Sequence, residues 1–267
     1  MSFDGIITKA VVDEIYPLLL NGKINKINQP DKNEINIQIY NKENYKLLLS
    51  CANNLSRIHL SEKNKKNPIT AYNFCMLLRK HLVGGTIKNI YQHKMDRVVC
   101  FEIENLNELK ELSKKLLIIE IMGKHSNIIL VDKESNKIID AIKHIDSRQS
   151  SIREVFPNKD YFFVKDEKEN ILDENYKLPS EILKNSEPIS MKKFFYTNYL
   201  GFSPIISYEL LNNSNVDSAV NSANLNDEDI KIAVEKDIKS ENCKDKYSDM
   251  TDLFYLNEEL QDSVHTE

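Results

Sequence analysis

The sequence lacks the features of a membrane-spanning or secreted protein. No apolar run approaches the ~20 residues that a helix needs to cross a bilayer. Residues 1–9, MSFDGIITK, carry an acid early and lack the basic-then-apolar order of a signal peptide. We therefore expect a cytoplasmic protein that makes no membrane contact.

Cysteine is scarce, and its spacing excludes the usual disulfide frameworks and zinc motifs. The four cysteines contain no C-x-x-C pair, and Cys51, Cys75 and Cys100 each lie in an apolar run. They are therefore predicted to be buried free thiols. The histidines lack the i,i+4 spacing of a helical metal site, so we predict no metal ion.

Signatures of catalysis are missing as well. The sequence contains no Gly-rich phosphate loop, no G-x-S-x-G motif and no kinase signature. It also offers no nucleophile with a flanking base. We therefore predict no catalytic residue and no cofactor, and expect that the chain is not an enzyme.

Charge, by contrast, is present in quantity and is unevenly distributed. Residues 1–165 hold 26 Lys/Arg and 19 Asp/Glu, a net charge of +7. Residues 166–267 hold 10 Lys/Arg and 22 Asp/Glu, a net charge of −12. Such asymmetry favours a polyanion-binding module followed by an acidic segment. Surface lysine scattered through a Lys- and Asn-rich chain is the alternative explanation.

The hydrophobic patterns predict an α+β protein, in which helices are interspersed with runs of adjacent strands. Because short turns join these strands, they are expected to pair antiparallel. The predicted helices are 5–20, 67–82, 179–183, 190–199, 204–211 and 227–239. The predicted strands are 23–28, 34–40, 45–50, 57–60, 86–92, 97–103, 116–122, 127–131 and 137–144. This organisation gives a sheet domain at 1–165, an acidic linker at 166–178, a helical domain at 179–240 and a poorly patterned tail at 241–267.

The neighbouring residues Asp96 and Arg97 lie where one predicted strand ends and the next begins. A guanidinium at such a turn can fork onto phosphate or stack on a base, and a carboxylate can accept from a base edge. An Asp-Arg pair at a hairpin is also a common structural feature. The sequence pattern alone leaves both interpretations open.

Two further polar clusters are candidate RNA contacts. After Gly123, the side chains of Lys124, His125 and Asn127 follow a strand end and could bind phosphate. A polar hairpin loop with a glycine turn is the alternative there. On the second predicted helix, Arg79 and Lys80 form a small basic patch, for which a solvated helix face is the alternative.

A set of short segments stands out when it is taken in order along the chain. These segments are SFDG (2–5), YKLLLS (45–50), RIHL (57–60), NP (67–68), FCMLLRKHL (74–82), Asp96-Arg97, EIMGKHSNIILVD (120–132) and residues 138–143. Together they resemble the N-terminal part of the NFACT family of ribosome quality-control factors, whose bacterial members were once called fibronectin-binding proteins. The resemblance is dense over residues 1–165 and looser through the helix pair that ends at Leu211.

The resemblance implies both a fold and a function. The first domain should be an antiparallel β-sandwich with flanking helices, similar to the N-terminal domain of formamidopyrimidine-DNA glycosylases, followed by a small all-α helix-two-turn-helix domain. Family members bind the large ribosomal subunit that carries a stalled nascent chain, recruit tRNA (tRNA-Ala in bacteria), and direct C-terminal tailing. The resemblance makes Asp96 and Arg97 the tRNA-contacting residues.

Two departures bear on the rival functions. Glycosylases of that fold use an N-terminal proline amine followed by Glu, whereas Ser2 and Phe3 occupy that region here, which argues against DNA-repair chemistry. The chain ends at Glu267 without the sustained heptads of the family's coiled coil. It is therefore expected to be a shortened homologue or part of a longer protein. A fibronectin-binding surface adhesin is the other rival, and the N-terminus gives it little support.

Overall fold

The computed structural model describes residues 3–150, 152–184, 186–213 and 220–222. Its contacts divide the chain into two compact units. The first, which we call the sheet unit, comprises residues 11–93 and 97–165; the second, the helical unit, comprises residues 1–10, 94–96 and 166–267. The sequence assigns residues 1–10 and 94–96 to the sheet domain, whereas their contacts group them with the helical unit.

One antiparallel sheet dominates the sheet unit. Its order is β4-β3-β2-β1-β5-β6-β7-β8-β9 among the described residues. The alternating apolar residues that predict the strands fill its interior, as in β2, where Ile35, Ile37 and Ile39 are buried. The strands are β1 Lys23–Asp31, β2 Glu34–Asn41, β3 Glu43–Ser50, β4 Arg57–Leu60, β5 Thr86–Gln92, β6 Val98–Leu106, β7 Leu112–Glu120, β8 Asn127–Asp132 and β9 Ile138–Ala141.

The predicted β-sandwich is built from this single sheet and not from two separate ones. Its four-stranded and five-stranded halves join at one register pair, Lys23 opposite Thr86. The two halves also meet away from this seam, since the Lys143 Nζ donates to the Cys51 carbonyl at 2.6 Å. The first of these residues follows β9 and the second follows β3, so the sheet folds back on itself.

Five α-helices lie in the described part of the chain. They are α1 Gly5–Leu19, α2 Asn73–Leu82, α3 Pro179–Leu183, α4 Met191–Asn198 and α5 Pro204–Asn213. The predicted start of the second helix at Asn67 is wrong by six residues. The segment 67–72 is largely exposed and has no apolar face to bury, and β-branched Ile69 and Thr70 are weak helix formers.

Helices α4 and α5 pack within the helical unit around buried aromatic residues, including Phe194, Phe195 and Tyr199. Ser203 caps the start of α5, because the Ile206 amide donates to the Ser203 Oγ at 3.2 Å. The predicted helix at 227–239 and the tail at 241–267 lie outside the described residues. The helical domain at 179–240 therefore stays a prediction.

Candidate nucleic-acid interface

The Asp96–Arg97 pair lies in the short loop that joins β5 to β6. A hydrogen bond from the His93 amide to the Val98 carbonyl, 2.9 Å long, closes this loop. Lys94 takes a positive φ of 53°, which turns the chain sharply. Asp96 and Arg97 are both half-buried, and the division between the two units falls between them. The predicted turn is thus confirmed, with neither side chain hidden in the core.

The sheet register brings a second predicted cluster to Arg97. The Ile121 amide donates to the Arg97 carbonyl at 2.8 Å, directly after the pairing of β6 with β7. The chain then enters a 3-10 turn, Gly123–His125, whose Lys124 and His125 side chains are exposed. The sheet unit therefore places three basic or titratable side chains, Arg97, Lys124 and His125, at one end of the sheet. We call this group the basic end.

Asn127, also predicted to contact RNA, is buried directly after this turn, where its side chain forms hydrogen bonds with the main chain. Its Nδ2 donates to the Lys143 carbonyl at 2.9 Å, and its Oδ1 accepts from the Lys143 amide at 3.1 Å. Its neighbour Ser126 accepts a hydrogen bond from the Met122 amide at 2.8 Å. The amide of Asn127 thus ties the start of β8 to the segment after β9 and is withdrawn from solvent.

Arg79 and Lys80 lie elsewhere in the sheet unit. The Arg79 Nε donates to the Ile27 carbonyl at 2.7 Å, and Lys80 forms an ion pair with Glu108 at 2.9 Å. Helix α2 leads into the start of β5, whereas the loop with Arg97 follows its end. At ~3.3 Å per residue, the length of β5 separates this patch from the basic end by about 20 Å.

A buried cluster that sequence reasoning missed lies beside the basic end. Glu120, opposite Val98 in the sheet, is paired with Arg153 and accepts a hydrogen bond from the Tyr161 hydroxyl at 2.9 Å. Burial alone would lower the pKa of Arg153, but the Glu120 carboxylate raises it above its ordinary value. The charge of Glu120 is thus neutralised and does not oppose an anion near Arg97.

The three described cysteines are buried free thiols, as predicted. Burial raises the pKa of Cys51 to about 11 and that of Cys100 to about 12. Both therefore stay protonated at neutral pH and are poor nucleophiles. Among the described residues, no group of three or more His, Cys, Asp or Glu side chains could hold a metal ion.

The described residues form an α+β protein that carries Arg97, Lys124 and His125 at one end of its antiparallel sheet. Within the described ranges, no helix is long and apolar enough to span a membrane. Residues 4–240 match the family described as NFACT N-terminal and middle domains. This match covers most of the sequence, and the chain therefore belongs to the NFACT family.

Curated relatives carry the name Rqc2 homolog RqcH. The chain is 43% identical to the protein of that name from Bacillus subtilis (strain 168) over 162 residues, which are 60% of this chain and 28% of the relative. It is 43% identical to the one from Streptococcus pneumoniae serotype 2 over 180 residues, 63% of this chain and 33% of the relative. The chain thus spans about a third or less of these relatives' length.

Solved structures of similar proteins share the fold. The N-terminal domain of the fibronectin-binding protein PavA from Streptococcus pneumoniae has a TM-score of 0.71 at 36% identity, covering 78% of both chains. The N-terminal part of the fibronectin/fibrinogen-binding protein from Streptococcus suis has a TM-score of 0.73 at 34% identity, covering 86% of this chain and 83% of that one. The fibrinogen-binding protein from Staphylococcus aureus has a TM-score of 0.71 at 33% identity, covering 90% and 84%.

Proposed function

We propose that this chain is the tRNA-binding portion of a cytoplasmic ribosome quality-control factor. Its membership in the NFACT family and its similarity to proteins named Rqc2 homolog RqcH support this role. The observation that carries the proposal is the half-buried Asp96–Arg97 pair in the loop between β5 and β6. In the sheet unit, Arg97 is accompanied by the exposed Lys124 and His125.

Each of these side chains suits a different part of an RNA. The planar guanidinium of Arg97 can bind a phosphate through two hydrogen bonds or stack on a base. Lys124 supplies a point charge for a phosphate. Asp96 can only accept hydrogen bonds when ionised, so it suits a base amino group or a ribose hydroxyl. Phosphate contacts would thus provide affinity, and Asp96 would discriminate.

The family resemblance extends this proposal to the whole pathway. Under this proposal, the protein would bind the large ribosomal subunit that carries a stalled nascent chain and recruit tRNA, with tRNA-Ala as the expected species. It would thereby direct the C-terminal addition of alanine to the stalled chain. The proposal assigns no catalytic step and no cofactor to the residues of this chain.

The test is tRNA binding, measured by fluorescence anisotropy with a labelled tRNA-Ala transcript. We expect Asp96→Ala and Arg97→Ala each to weaken binding about 10-fold, since a hydrogen bond to a charged group is worth ~1.5–3 kcal/mol. Arg97→Lys should recover only part of the loss, because lysine restores the positive charge but not the paired N–H donors of the guanidinium. The melting temperatures should stay within a few degrees of wild type.

The control variant is Lys114→Ala, which removes a half-exposed lysine from the start of β7, at the other end of the strand from Glu120. Its tRNA affinity should equal that of wild type. If Asp96→Ala and Arg97→Ala bind tRNA as tightly as Lys114→Ala, the site assignment is wrong. If the wild-type chain does not bind tRNA, the proposed function is wrong.

Fibronectin binding is a second candidate, favoured by the descriptions of the solved neighbours from two Streptococcus species. Surface plasmon resonance on immobilised fibronectin tests it directly. Under our proposal any fibronectin affinity is independent of Asp96 and Arg97. A fibronectin affinity that both alanine variants abolish would assign the loop to that partner instead.

A further inference from the structure

The middle residues of the loop between β5 and β6, 94–96, belong by their contacts to the helical unit. The side chain of Met95 is only 3% exposed and packs with Ile6, Leu200 and Ile206. Met95 therefore anchors, inside the helical unit, the loop that carries Asp96.

The main chain of Met95 is held as closely as its side chain. Gly5 and Gly201 approach each other through a hydrogen bond from the Gly5 amide to the Gly201 carbonyl, 3.0 Å long. A Cβ on Gly201 would lie 2.5 Å from the Met95 carbonyl oxygen, and a Cβ on Gly5 would overlap the same oxygen. Only glycine fits at these two positions. We call Gly5, Met95 and Gly201 the glycine clamp.

The clamp acts directly on Asp96 because of the peptide bond. The carbonyl oxygen of Met95 and the amide nitrogen and Cα of Asp96 belong to one rigid, planar peptide group. A contact that fixes the position of that oxygen therefore also fixes the amide nitrogen and Cα of Asp96. A methyl group that displaced the oxygen would rotate the whole group and carry Asp96 with it.

We propose that Gly5 and Gly201 are positioning residues for the RNA-reading loop, and that the helical unit thereby sets the position in which Asp96 meets its ligand. This inference rests on the proposed tRNA binding as far as the ligand is concerned. The holding of the loop by the clamp is a separate claim, which can be tested without RNA.

The chain supplies a matched control for the key variant. Gly201 and Gly84 both have a φ of +86°, so alanine is equally strained at either position. A Cβ on Gly84, however, has only the Asn105 Oδ1 within 4 Å, at 3.9 Å. Comparing Gly201→Ala with Gly84→Ala thus separates loss of the clamp from backbone strain.

Gly5→Ala is a second variant that keeps the inference testable if Gly201→Ala does not fold. Gly5 is the first residue of α1, where alanine is a better helix former than glycine. Loss of function in Gly5→Ala therefore cannot be attributed to a weakened helix. Circular dichroism establishes that each variant is folded before binding is compared.

The RNA-independent measurement is limited trypsin digestion, with cleavage after Lys94 followed by mass spectrometry. Lys94 is exposed, and its bond to Met95 is protected as long as Met95 stays in the clamp. Cleavage at Lys94 should be ~10-fold faster in Gly5→Ala and Gly201→Ala, because protection tracks the population of the opened loop. Gly84→Ala should be cleaved there at the wild-type rate.

The second measurement is tRNA affinity. Gly5→Ala and Gly201→Ala should lose about as much as Asp96→Ala, ~10-fold. Adding Asp96→Ala to either glycine variant should cause little further loss, because coupled residues are not additive. Gly84→Ala should stay within about twofold of wild type, the range of an ordinary surface change.

The outcomes separate the two proposals. Suppose that the wild-type chain binds tRNA and that Gly5→Ala and Gly201→Ala match Gly84→Ala in tRNA affinity and in the rate of cleavage after Lys94. The inference about the glycine clamp is then wrong, while the proposed function stands. If cleavage at Lys94 accelerates but tRNA affinity does not change, the clamp holds the loop without positioning the ligand, and the inference is overturned. If wild type does not bind tRNA, the proposed function fails first.

Discussion

At the scale of single residues, the basic end depends on partners that are distant in sequence. Glu120 follows the apolar run of β7 and would bring a negative charge beside Arg97. Arg153, 33 residues later, pairs with it, and Tyr161 completes the cluster. No local pattern links these positions, which is why the sequence does not reveal them.

The buried pair makes the first residue-scale prediction. Replacing Arg153 by Met leaves the Glu120 carboxylate buried without its cation, which should cost ~3–5 kcal/mol in the free energy of unfolding. Urea unfolding measures this loss. The double variant Arg153→Met/Glu120→Gln should recover much of it. A cost no larger than that of Arg148→Met, at a side chain 89% exposed, would contradict the arrangement described.

The second residue-scale prediction concerns acid stability. Burial would raise the pKa of Asp132, but hydrogen bonds from Lys115 and Ser135 outweigh it and lower the pKa to about 2. The unfolded value is ~3.9, so the stabilisation is present above about pH 4 and is lost as the pH falls towards 2.

Asp132→Asn should therefore remove ~1–2 kcal/mol at pH 6 and flatten the loss of stability between pH 4 and pH 2. Urea unfolding at a series of pH values gives both quantities. Asp146→Asn is a useful control, because its partner Arg148 is almost fully exposed. An acid transition as steep in Asp132→Asn as in wild type would contradict the prediction.

Single residues also show what the sequence could predict at the site. The turn at Asp96 and Arg97 was predictable because an apolar strand segment flanks it on each side. The burial of Asn127 was not predictable, because the sequence does not distinguish it from the other polar residues that follow Gly123. Burial by the segment after β9 distinguishes Asn127 from Lys124, and that contact is non-local.

At the scale of elements, local signals predict most strands and helices well. Strand β5, Thr86–Gln92, and helix α3, Pro179–Leu183, have the predicted bounds. Asp4 caps the start of α1, since the Ile6 and Ile7 amides donate to the Asp4 Oδ1 at 3.1 and 3.0 Å. Helix α2 begins six residues after its predicted start because residues 67–72 have no apolar face to bury.

The cap of α1 has a second role that sequence does not show. The other carboxylate oxygen of Asp4 accepts a hydrogen bond from the Ser203 hydroxyl at 2.6 Å. Ser203 in turn caps α5 through the Ile206 amide. One buried carboxylate thus ties together the starts of two helices that are 199 residues apart in sequence.

This link gives the element-scale prediction. Asp4→Ala removes a helix cap and the acceptor for Ser203, and should cost ~2–4 kcal/mol; Ser203→Ala should cost ~1–2 kcal/mol. In a double-mutant cycle of urea unfolding, the two losses should couple by at least ~0.5 kcal/mol. Strictly additive losses would show that the two caps are independent.

At the scale of the whole molecule, the pairing of strands that are distant in sequence limits how much of the fold the sequence can predict. The alternation of apolar residues predicts each strand and its antiparallel neighbour, but not the seam between β1 and β5, which join across more than fifty residues. That seam joins the four-stranded and five-stranded halves into one sheet. About half of the acidic part of the chain, residues 166–267 with a net charge of −12, lies outside the described residues.

The central claim is that tRNA binds at the basic end, through Arg97 and Lys124 on phosphate and through Asp96 on another group. The slope of log affinity against log salt counts the phosphates neutralised, at roughly 0.7–0.9 per contact. Removing a phosphate contact reduces the slope by about one, whereas removing an anionic group does not.

The most direct test is therefore the salt dependence of tRNA affinity for wild type, Arg97→Ala, Asp96→Ala and the control Lys114→Ala. We predict a shallower slope by about one for Arg97→Ala, a weaker affinity with an unchanged slope for Asp96→Ala, and wild-type behaviour for Lys114→Ala. Identical slopes and affinities for all four proteins would contradict the account.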